Sequence, residues 1–315
     1  MRFNEDAGLD TSQVEDLRSG GGGGGGLGGR VALGGGGVSI LGLALYLVFS
    51  LLTGGVGGGG GSPGSLPSGG LGGVGSGQTA DNSALEQECR TGADANTKQD
   101  CRIVAIVNSV QGYWRDQFAR SGRTYKPAPT NFFRGQVRTG CGSATAAVGP
   151  FYCPADGEVY IDLGFFDELH NRFGVQGGDF VEAYVLAHEY GHHVQNLLGT
   201  SQRVDLRDTG PRSGSVRLEL QADCYAGVWA NHATTVPTAN GKPLIVELTQ
   251  KDIDDALDAA SRIGDDYIQS RLGGGKVNPD AFTHGTSAQR RTWFSTGYQT
   301  GDPARCNTFD VPTLD

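Results

Sequence analysis

Apolar residues recur every three or four positions along much of the chain after residue 99, which is the spacing of one face of an α-helix. The clearest stripe comprises Ile103, Val104, Val107, Val110, Trp114 and Phe118. The same pattern predicts helices at 100–120, 165–173, 179–198, 213–232, 249–272 and 286–297. Short runs of strand-forming residues lie at 137–148 and 158–163, separated by prolines and a glycine. Many helices beside a small sheet predict an α+β fold.

The first quarter of the chain differs in composition. Of the 54 glycines, 29 lie in residues 1–77, and the rest of the chain carries an ordinary load. A segment so rich in glycine buries too little apolar surface to offset its backbone entropy, so we expect the folded domain to span 80–315. Residues 1–30 are predicted to form a glycine-rich tail, and residues 57–79 a flexible tether of glycine, serine and proline.

One uncharged apolar run, VSILGLALYLVFSLLT at 38–53, interrupts the glycine-rich region. With its flanks, 31–56, it is long enough for a single transmembrane helix. A cleaved signal peptide and a buried helix are the alternatives, but the long chain ahead of the run favours an anchor. The arginines that precede the run are Arg2, Arg18 and Arg30. No basic residue follows until Arg90, which predicts a cytoplasmic N-terminus and an extracytoplasmic (periplasmic or extracellular) domain.

The cysteines also predict an extracytoplasmic domain. The six cysteines, all beyond the apolar run, are Cys89, Cys101, Cys141, Cys153, Cys224 and Cys306. None has the C-x-x-C spacing of a zinc knuckle or redox pair, and an even number on the exported side predicts disulfides. Of the possible pairings we favour Cys89–Cys101, Cys141–Cys153 and, by elimination, Cys224–Cys306. Buried free thiols in a reduced protein are the alternative.

The candidate chemistry lies within 179–198, in the pattern H-E-x-x-H formed by His188, Glu189 and His192. Residues four apart share a helix face, so both imidazoles can reach one zinc ion. Glu189 is turned about 100° from His188 and is expected to meet a water at the open coordination position instead of binding the metal. Two hydrogen-bonded histidines inside a buried helix are the alternative interpretation.

A catalytic zinc needs a third protein ligand. The next predicted helix carries Glu219 and Asp223, again four apart and therefore on one face. We expect Glu219 to complete the metal site and Asp223 to accept the free N–H of a zinc-binding histidine. An ordinary solvated acidic face is the alternative, which the Leu-, Ala- and Trp-rich surroundings disfavour.

These motifs resemble those of known zinc peptidases. H-E-x-x-H followed by E-x-x-x-D resembles the gluzincin class of zinc peptidases, and the wider chain resembles the bacterial putative neutral zinc metallopeptidases. The matching segments are VEDLRSG at 14–20, YCPADGEVYIDLGFF at 152–166, HEYGHHVQ at 188–195, LELQADCYAG at 218–227 and HGTSAQRRTWFSTGY at 284–298. The resemblance implies a zincin-like domain outside the cytoplasm, with His188, His192 and Glu219 as ligands and Glu189 as base.

The predicted function is a membrane-anchored peptidase that hydrolyses peptide bonds with a zinc-activated water, Glu189 acting as general base. His284 is the leading candidate for stabilising the oxyanion, ahead of Tyr160 and Tyr225. A peptide substrate could add to the strand at 158–162 if that strand lies at a sheet edge; an internal strand is equally compatible with the pattern.

A binding function remains the alternative: a zinc-containing but non-proteolytic scaffold or regulator domain on the exported face of the membrane. An unligated glutamate beside the metal favours the enzyme, because a purely structural zinc site has no use for one. The formal charge of −9, from 25 basic and 34 acidic residues, argues against a nucleic-acid partner.

Overall fold

The computed structural model describes residues 1–18, 79–237 and 241–315. The predicted transmembrane helix at 31–56 and nearly all of the predicted tether lie outside the described residues. Among the described residues, no helix is both long and apolar enough to cross a membrane.

Helices dominate the fold, as the sequence pattern predicts. They are α1 (Ser83–Glu88), α2 (Gly92–Ala95), α3 (Gln99–Arg120), α4 (Phe165–Asn171), α5 (Asp179–Leu198), α6 (Gly214–His232), α7 (Gln250–Arg262), α8 (Asp265–Tyr267) and α9 (Ser287–Thr300). The helix predicted at 249–272 is interrupted at Gly264, whose backbone is extended and lies too close to the backbone of Ser287 to admit a side chain. A single π-helical turn, Ile268–Leu272, follows α8.

The described strands form three small sheets. They are β1 (Arg2–Phe3), β2 (Val14–Asp16), β3 (Thr130–Phe132), β4 (Gln136–Thr139), β5 (Gly142–Thr145), β6 (Phe151–Cys153), β7 (Glu158–Ile161) and β8 (Ile245–Glu247). The largest sheet has the order β2-β3-β7-β6, with β6 antiparallel to β7 and the other neighbours parallel. Strands β4 and β5 form a hairpin, and β1 pairs with β8. The α+β class is therefore confirmed.

Strand β7 is internal, because β3 and β6 occupy its two sides. Its backbone groups are engaged in the sheet, so the possibility that a peptide adds to residues 158–162 is wrong. Val159 and Ile161 of β7 pack in the main core, whereas Tyr160 faces the other side of the sheet and packs in a second cluster with Phe133 and Val137. The edge strand on this side is β6, which lies against α5.

Residues 1–18 belong to the folded domain, contrary to the prediction that it begins near residue 80. Strand β1 pairs with β8, and β2 pairs with β3 through the register Val14↔Thr130. Phe3, Ala7 and Val14 are fully buried in the main core. The composition of residues 1–77 concealed this segment, because the glycine runs begin only at residue 20 and residues 1–18 contain a single glycine, Gly8.

Three helices build the centre of the domain, with α6 packed between α5 and α9. Glycines allow this close packing: a side-chain carbon on Gly191 of α5 would overlap Ala222 of α6. Likewise, one on Gly297 of α9 would overlap the carbonyl of Cys224, and one on Gly227 would overlap that of Phe294. The small residues therefore fix the distance between the helices that carry the candidate site.

All six cysteines form the three predicted disulfides: Cys89–Cys101, Cys141–Cys153 and Cys224–Cys306. The first links α1 to α3, and the second links the β4–β5 turn to the edge strand β6. The third closes the longest loop, with a sequence separation of 82, and ties the C-terminal segment to α6 one residue after Asp223. Crosslinks of this kind restrict the unfolded chain and stabilise the domain.

Candidate metal centre

The helix α5 places His188 and His192 side by side, as residues four apart must be. Their Nε2 atoms lie 3.2 Å apart, with the ring planes nearly perpendicular. The helix forms because its sequence, from Asp179 to Leu198, is free of proline and apolar on its core face, and it ends at Gly199 in the left-handed conformation. Two imidazole nitrogens thus converge on one point.

Glu219 comes to the same point from α6, whose first turn is capped by the Ser213 hydroxyl accepting from the Val216 N–H. Its Oε2 lies 3.2 Å from His188 Nε2 and its Oε1 lies 3.3 Å from His192 Nε2. Tetrahedral zinc with bonds of about 2.0–2.1 Å separates its ligand atoms by about 3.3 Å. The three donors therefore fit the spacing that a tetrahedral zinc ion requires.

These short contacts do not satisfy the carboxylate. Both oxygens of Glu219 are within ion-pair distance of an imidazole nitrogen, yet neither has a hydrogen-bond donor, although the side chain is fully buried. Burial alone would raise the pKa of Glu219, but His192 and His284 hold it well below its usual value. An ionised, buried carboxylate without donors is costly unless a cation meets it.

His188 is oriented from behind by Asp223. The Nδ1 atom of His188 lies 2.9 Å from Asp223 Oδ1. The other ring nitrogen, Nε2, is therefore directed at the point where the two imidazoles and Glu219 converge. Burial would lower the pKa of His188, but the carboxylates of Asp223 and Glu219 raise it to about 9. His192 is oriented similarly by the Gln195 side-chain oxygen, 2.9 Å from its Nδ1. Partners of this kind fix the tautomer and direction of zinc-binding histidines.

Asp223 is itself held by a buried cation. Arg290 of α9 donates from Nε and Nη2 to the two oxygens of Asp223, at 2.8 and 2.9 Å, and both side chains are fully buried. The Tyr184 hydroxyl donates to Asp223 Oδ1 at 2.7 Å. Burial raises the pKa of Asp223, but Arg290 and His188 outweigh it and lower the pKa. The aspartate is therefore a fixed anion behind His188.

The candidate base, Glu189, is anchored by the edge strand of the sheet. Its Oε2 accepts the backbone N–H of Tyr152 in β6 at 2.9 Å, whereas its Oε1 has no partner. Burial raises the pKa of Glu189, and the neighbouring His188 and His192 oppose the rise. One oxygen is thus fixed while the other can accept a proton.

His284 reaches the site from the loop before α9. The Asp265 Oδ2 atom accepts the backbone N–H groups of Thr283, His284 and Gly285 at 2.6–3.0 Å, which holds this loop in place. His284 Nδ1 lies 2.9 Å from the Thr283 hydroxyl and 3.3 Å from Asp265 Oδ1. Its Nε2 is buried without a partner, and the residue lies close enough to Glu219 to lower that carboxyl's pKa. The ring therefore has an unpaired nitrogen and lies near Glu219.

The other candidates for the oxyanion and the remaining histidine of the motif have structural roles. Tyr160 donates to the carboxylates of Asp156 and Glu158, and Tyr225 packs edge-on against Trp114. His193 is held between the Lys126 carbonyl and the Tyr152 hydroxyl, and burial lowers its pKa to about 4.

Sequence reasoning missed Arg290, Tyr184, Asp265 and the Tyr152 N–H. Arg290 left a signal: it shares a helix face with Trp293, Phe294 and Gly297, so it is a charge on the apolar side of α9. Asp265 and Tyr152 left none, because their contacts depend on a loop and a sheet edge. Access to the site is narrow: the His192 side chain is 14% exposed, whereas Glu189 and Glu219 are fully buried.

A family model described as putative neutral zinc metallopeptidase matches residues 1–309. An uncharacterized protein of Mycobacterium tuberculosis is 51% identical over 228 residues, covering 72% of this chain and 76% of the relative. The uncharacterized protein YpfJ of Escherichia coli K12 is 42% identical over 230 residues, covering 71% of this chain and 76% of the relative. No solved structure matches significantly.

Proposed function

The chain belongs to the putative neutral zinc metallopeptidase family, whose cofactor is Zn²⁺, and from this premise we propose that it is a zinc-dependent peptidase. The observation that carries the proposal is the convergence of three ligand side chains beside Glu189, which binds none of them. The two imidazole Nε2 atoms lie 3.2 Å apart, and each oxygen of Glu219 lies 3.2–3.3 Å from one of them. Three protein ligands with a base beside them are typical of catalytic zinc sites.

In this proposal His188, His192 and Glu219 hold the zinc ion. Bound zinc supplies Lewis acidity, which acidifies a water and polarises a carbonyl. Glu189 accepts the proton of the attacking water at Oε1, because Oε2 is occupied by the Tyr152 N–H. It then delivers that proton to the leaving amine as the peptide bond breaks. Asp223 and Arg290 keep His188 in one orientation throughout.

His284 is proposed to donate from Nε2 to the oxygen that gains negative charge during attack. The orphaned nitrogen supports this role, since a buried ring nitrogen without a partner is unfavourable unless a ligand meets it. Asp265 supports it further by holding the loop and Nδ1, so that a donor at Nε2 is fixed in advance.

The domain is proposed to act outside the cytoplasm, in association with the membrane. Three disulfides that use every cysteine support an oxidising compartment. The apolar run at 38–53, outside the described residues, is the proposed membrane contact.

The test is peptide cleavage by the full chain carrying Glu189→Gln, with zinc content measured in parallel. We expect bound zinc at the wild-type level, because Glu189 contacts no ligand, and hydrolysis reduced by about 10²–10⁴-fold, the usual contribution of a general base. A library of peptides assayed by mass spectrometry provides the substrates. Glu182→Gln, two turns earlier on the same helix, is the matched control, since it also removes a buried carboxylate of α5, one that pairs with Arg102 of α3.

Equal cleavage by wild type and Glu189→Gln would contradict the peptidase proposal. A zinc-loaded protein without cleavage of any peptide would favour the second candidate, a non-proteolytic zinc-binding scaffold. The observation that favours this candidate is the enclosure of the site, in which Glu189 and Glu219 are fully buried.

Replacing His284 tests its separate role. His284→Ala should lower kcat by about 10²–10³-fold with little change in KM, the effect of removing one oxyanion donor. His284→Gln keeps a donor and should retain more activity than the alanine variant. Unchanged kcat in a folded, zinc-loaded His284→Ala protein would limit His284 to a structural role.

A further inference from the structure

The N-terminal segment is held to the domain along most of its length. Beyond the two strand pairings, the Leu9 N–H donates to the Arg90 carbonyl and the Gly92 N–H donates to the Ala7 carbonyl. The Asp10 N–H donates to the Asn108 side chain at 2.8 Å. Together with the buried Phe3 and Val14, these bonds make residues 1–18 an integral part of the fold.

The two ends of the connection 19–78 meet at one place on the domain. The Asp81 N–H donates to the Asp16 carbonyl at 2.9 Å. The Arg18 guanidinium donates to the carboxylates of Asp16 and Asp100, both at 2.7 Å. The chain therefore leaves the domain and returns to it at the same point, whatever path residues 19–78 take.

Two of the three arginines that predicted a cytoplasmic N-terminus have partners in the fold. Arg2 pairs with Glu247 at 3.0 Å, and Arg18 pairs with Asp16 and Asp100. The guanidinium group of Arg18 also lies over the ring of Phe132, and its carbon is 5.1 Å from the centre of that ring. Because folding accounts for these two charges, they cease to be evidence for a positive cytoplasmic flank.

We propose that residues 1–18 and residues 79–315 lie on the same side of the membrane. If the chain crossed the membrane an odd number of times between them, the two segments would lie on opposite sides and could not pair, either within one molecule or between two copies. This proposal does not depend on the proposed peptidase activity.

The disulfides extend the proposal to a particular side. Because the domain has every cysteine paired, an oxidising compartment suits it, and the N-terminal segment shares that compartment. Both segments are then exported.

The first test is a crosslink between the segment and the domain. Gly8 and Thr91 form an antiparallel bridge flanked by backbone bonds, an arrangement with Cα atoms about 4.5 Å apart, which is within the range for a disulfide. A side chain at Gly8 meets no atom within 4 Å. In intact membranes carrying the full chain with Gly8→Cys and Thr91→Cys, we expect an 8–91 disulfide, identified by peptide mass and lost on reduction. Gly8→Cys with Leu206→Cys is the control, since Leu206 lies on the exposed loop before α6.

The second test compares the accessibility of two exposed positions in separate variants, Glu5→Cys and Val277→Cys. All native cysteines are paired, so a membrane-impermeant maleimide reports only the new thiol. We expect both variants to be labelled in intact cells to the same extent as after permeabilisation. Labelling of Val277→Cys in intact cells, with Glu5→Cys labelled only after permeabilisation, would overturn the proposal, as would failure of the 8–91 disulfide to form.

Discussion

Two buried charged clusters lie next to each other between α5, α6 and α9, and they differ in one respect. In the cluster of Asp223, Arg290 and Tyr184, both carboxylate oxygens have donors within 2.9 Å. In the cluster of His188, His192 and Glu219, neither carboxylate oxygen has a donor. The first cluster is complete without a ligand, whereas the second is complete only with a cation.

The difference distinguishes polar groups that stabilise the fold from polar groups that are available to bind a ligand. Both clusters use carboxylates from the same helix, four residues apart, at the same depth. The completed cluster orients His188, and the incomplete one presents Nε2 and Oε atoms that could hold a metal ion. Burial and charge alone therefore fail to identify a site; the atoms left without partners identify it.

Breaking the completed cluster should have the largest effect on stability. Asp223→Asn leaves Arg290 buried without a counter-charge, and we expect a loss of about 3–5 kcal/mol in the free energy of unfolding. Urea denaturation in the presence of a chelator measures it, since the metal then contributes nothing. A loss below about 1 kcal/mol would show that Arg290 finds water or another partner.

Neutralising the incomplete cluster should have the opposite effect on the apo protein. Glu219→Gln removes a buried charge that lacks donors, so the chelated protein should be as stable as wild type or more so. Zinc at 100 times its Kd should raise wild-type stability by about 2.7 kcal/mol, and this rise should be absent from the variant. Equal zinc stabilisation of both proteins would remove Glu219 from the ligand set.

The smallest effect concerns the connection between the clusters. Arg290→Lys keeps the charge but loses the two parallel bonds to Asp223, at a cost of about 1.5–3 kcal/mol. Because Asp223 then holds His188 less firmly, zinc affinity should fall by about 10–100-fold. Competition with a chromogenic zinc chelator measures this, and an unchanged affinity would show that Asp223 orients His188 without Arg290.

The predictions that succeeded rest on short-range periodicity. The helix α5 has the predicted bounds, Asp179–Leu198, because its apolar and polar residues follow a 3.6-residue period without a breaker. The same periodicity places His188 with His192 and Glu219 with Asp223, so each helix presents its pair before any packing is known. That the two pairs face each other follows from small residues such as Gly191 and Ala222.

The predictions that failed or stayed open concern long-range pairing. The sequence left an edge strand and an internal strand equally open at 158–162, because nothing within these residues records that β3 and β6 occupy both sides of β7. Residues 1–18 looked like part of a glycine-rich tail because their partners, such as Thr130 and Ile245, lie far along the chain. The buried Arg290 was missed for a similar reason, since its counter-charge lies in another helix.

The pairing of β1 with β8 has a consequence for biosynthesis. Phe3 is translated 242 residues (245 − 3) before its partner Ile245. Contacts that span such a distance form late and slowly, since a long loop must close first. The segment that contains β1 therefore stays unpaired during synthesis until Ile245 has been made.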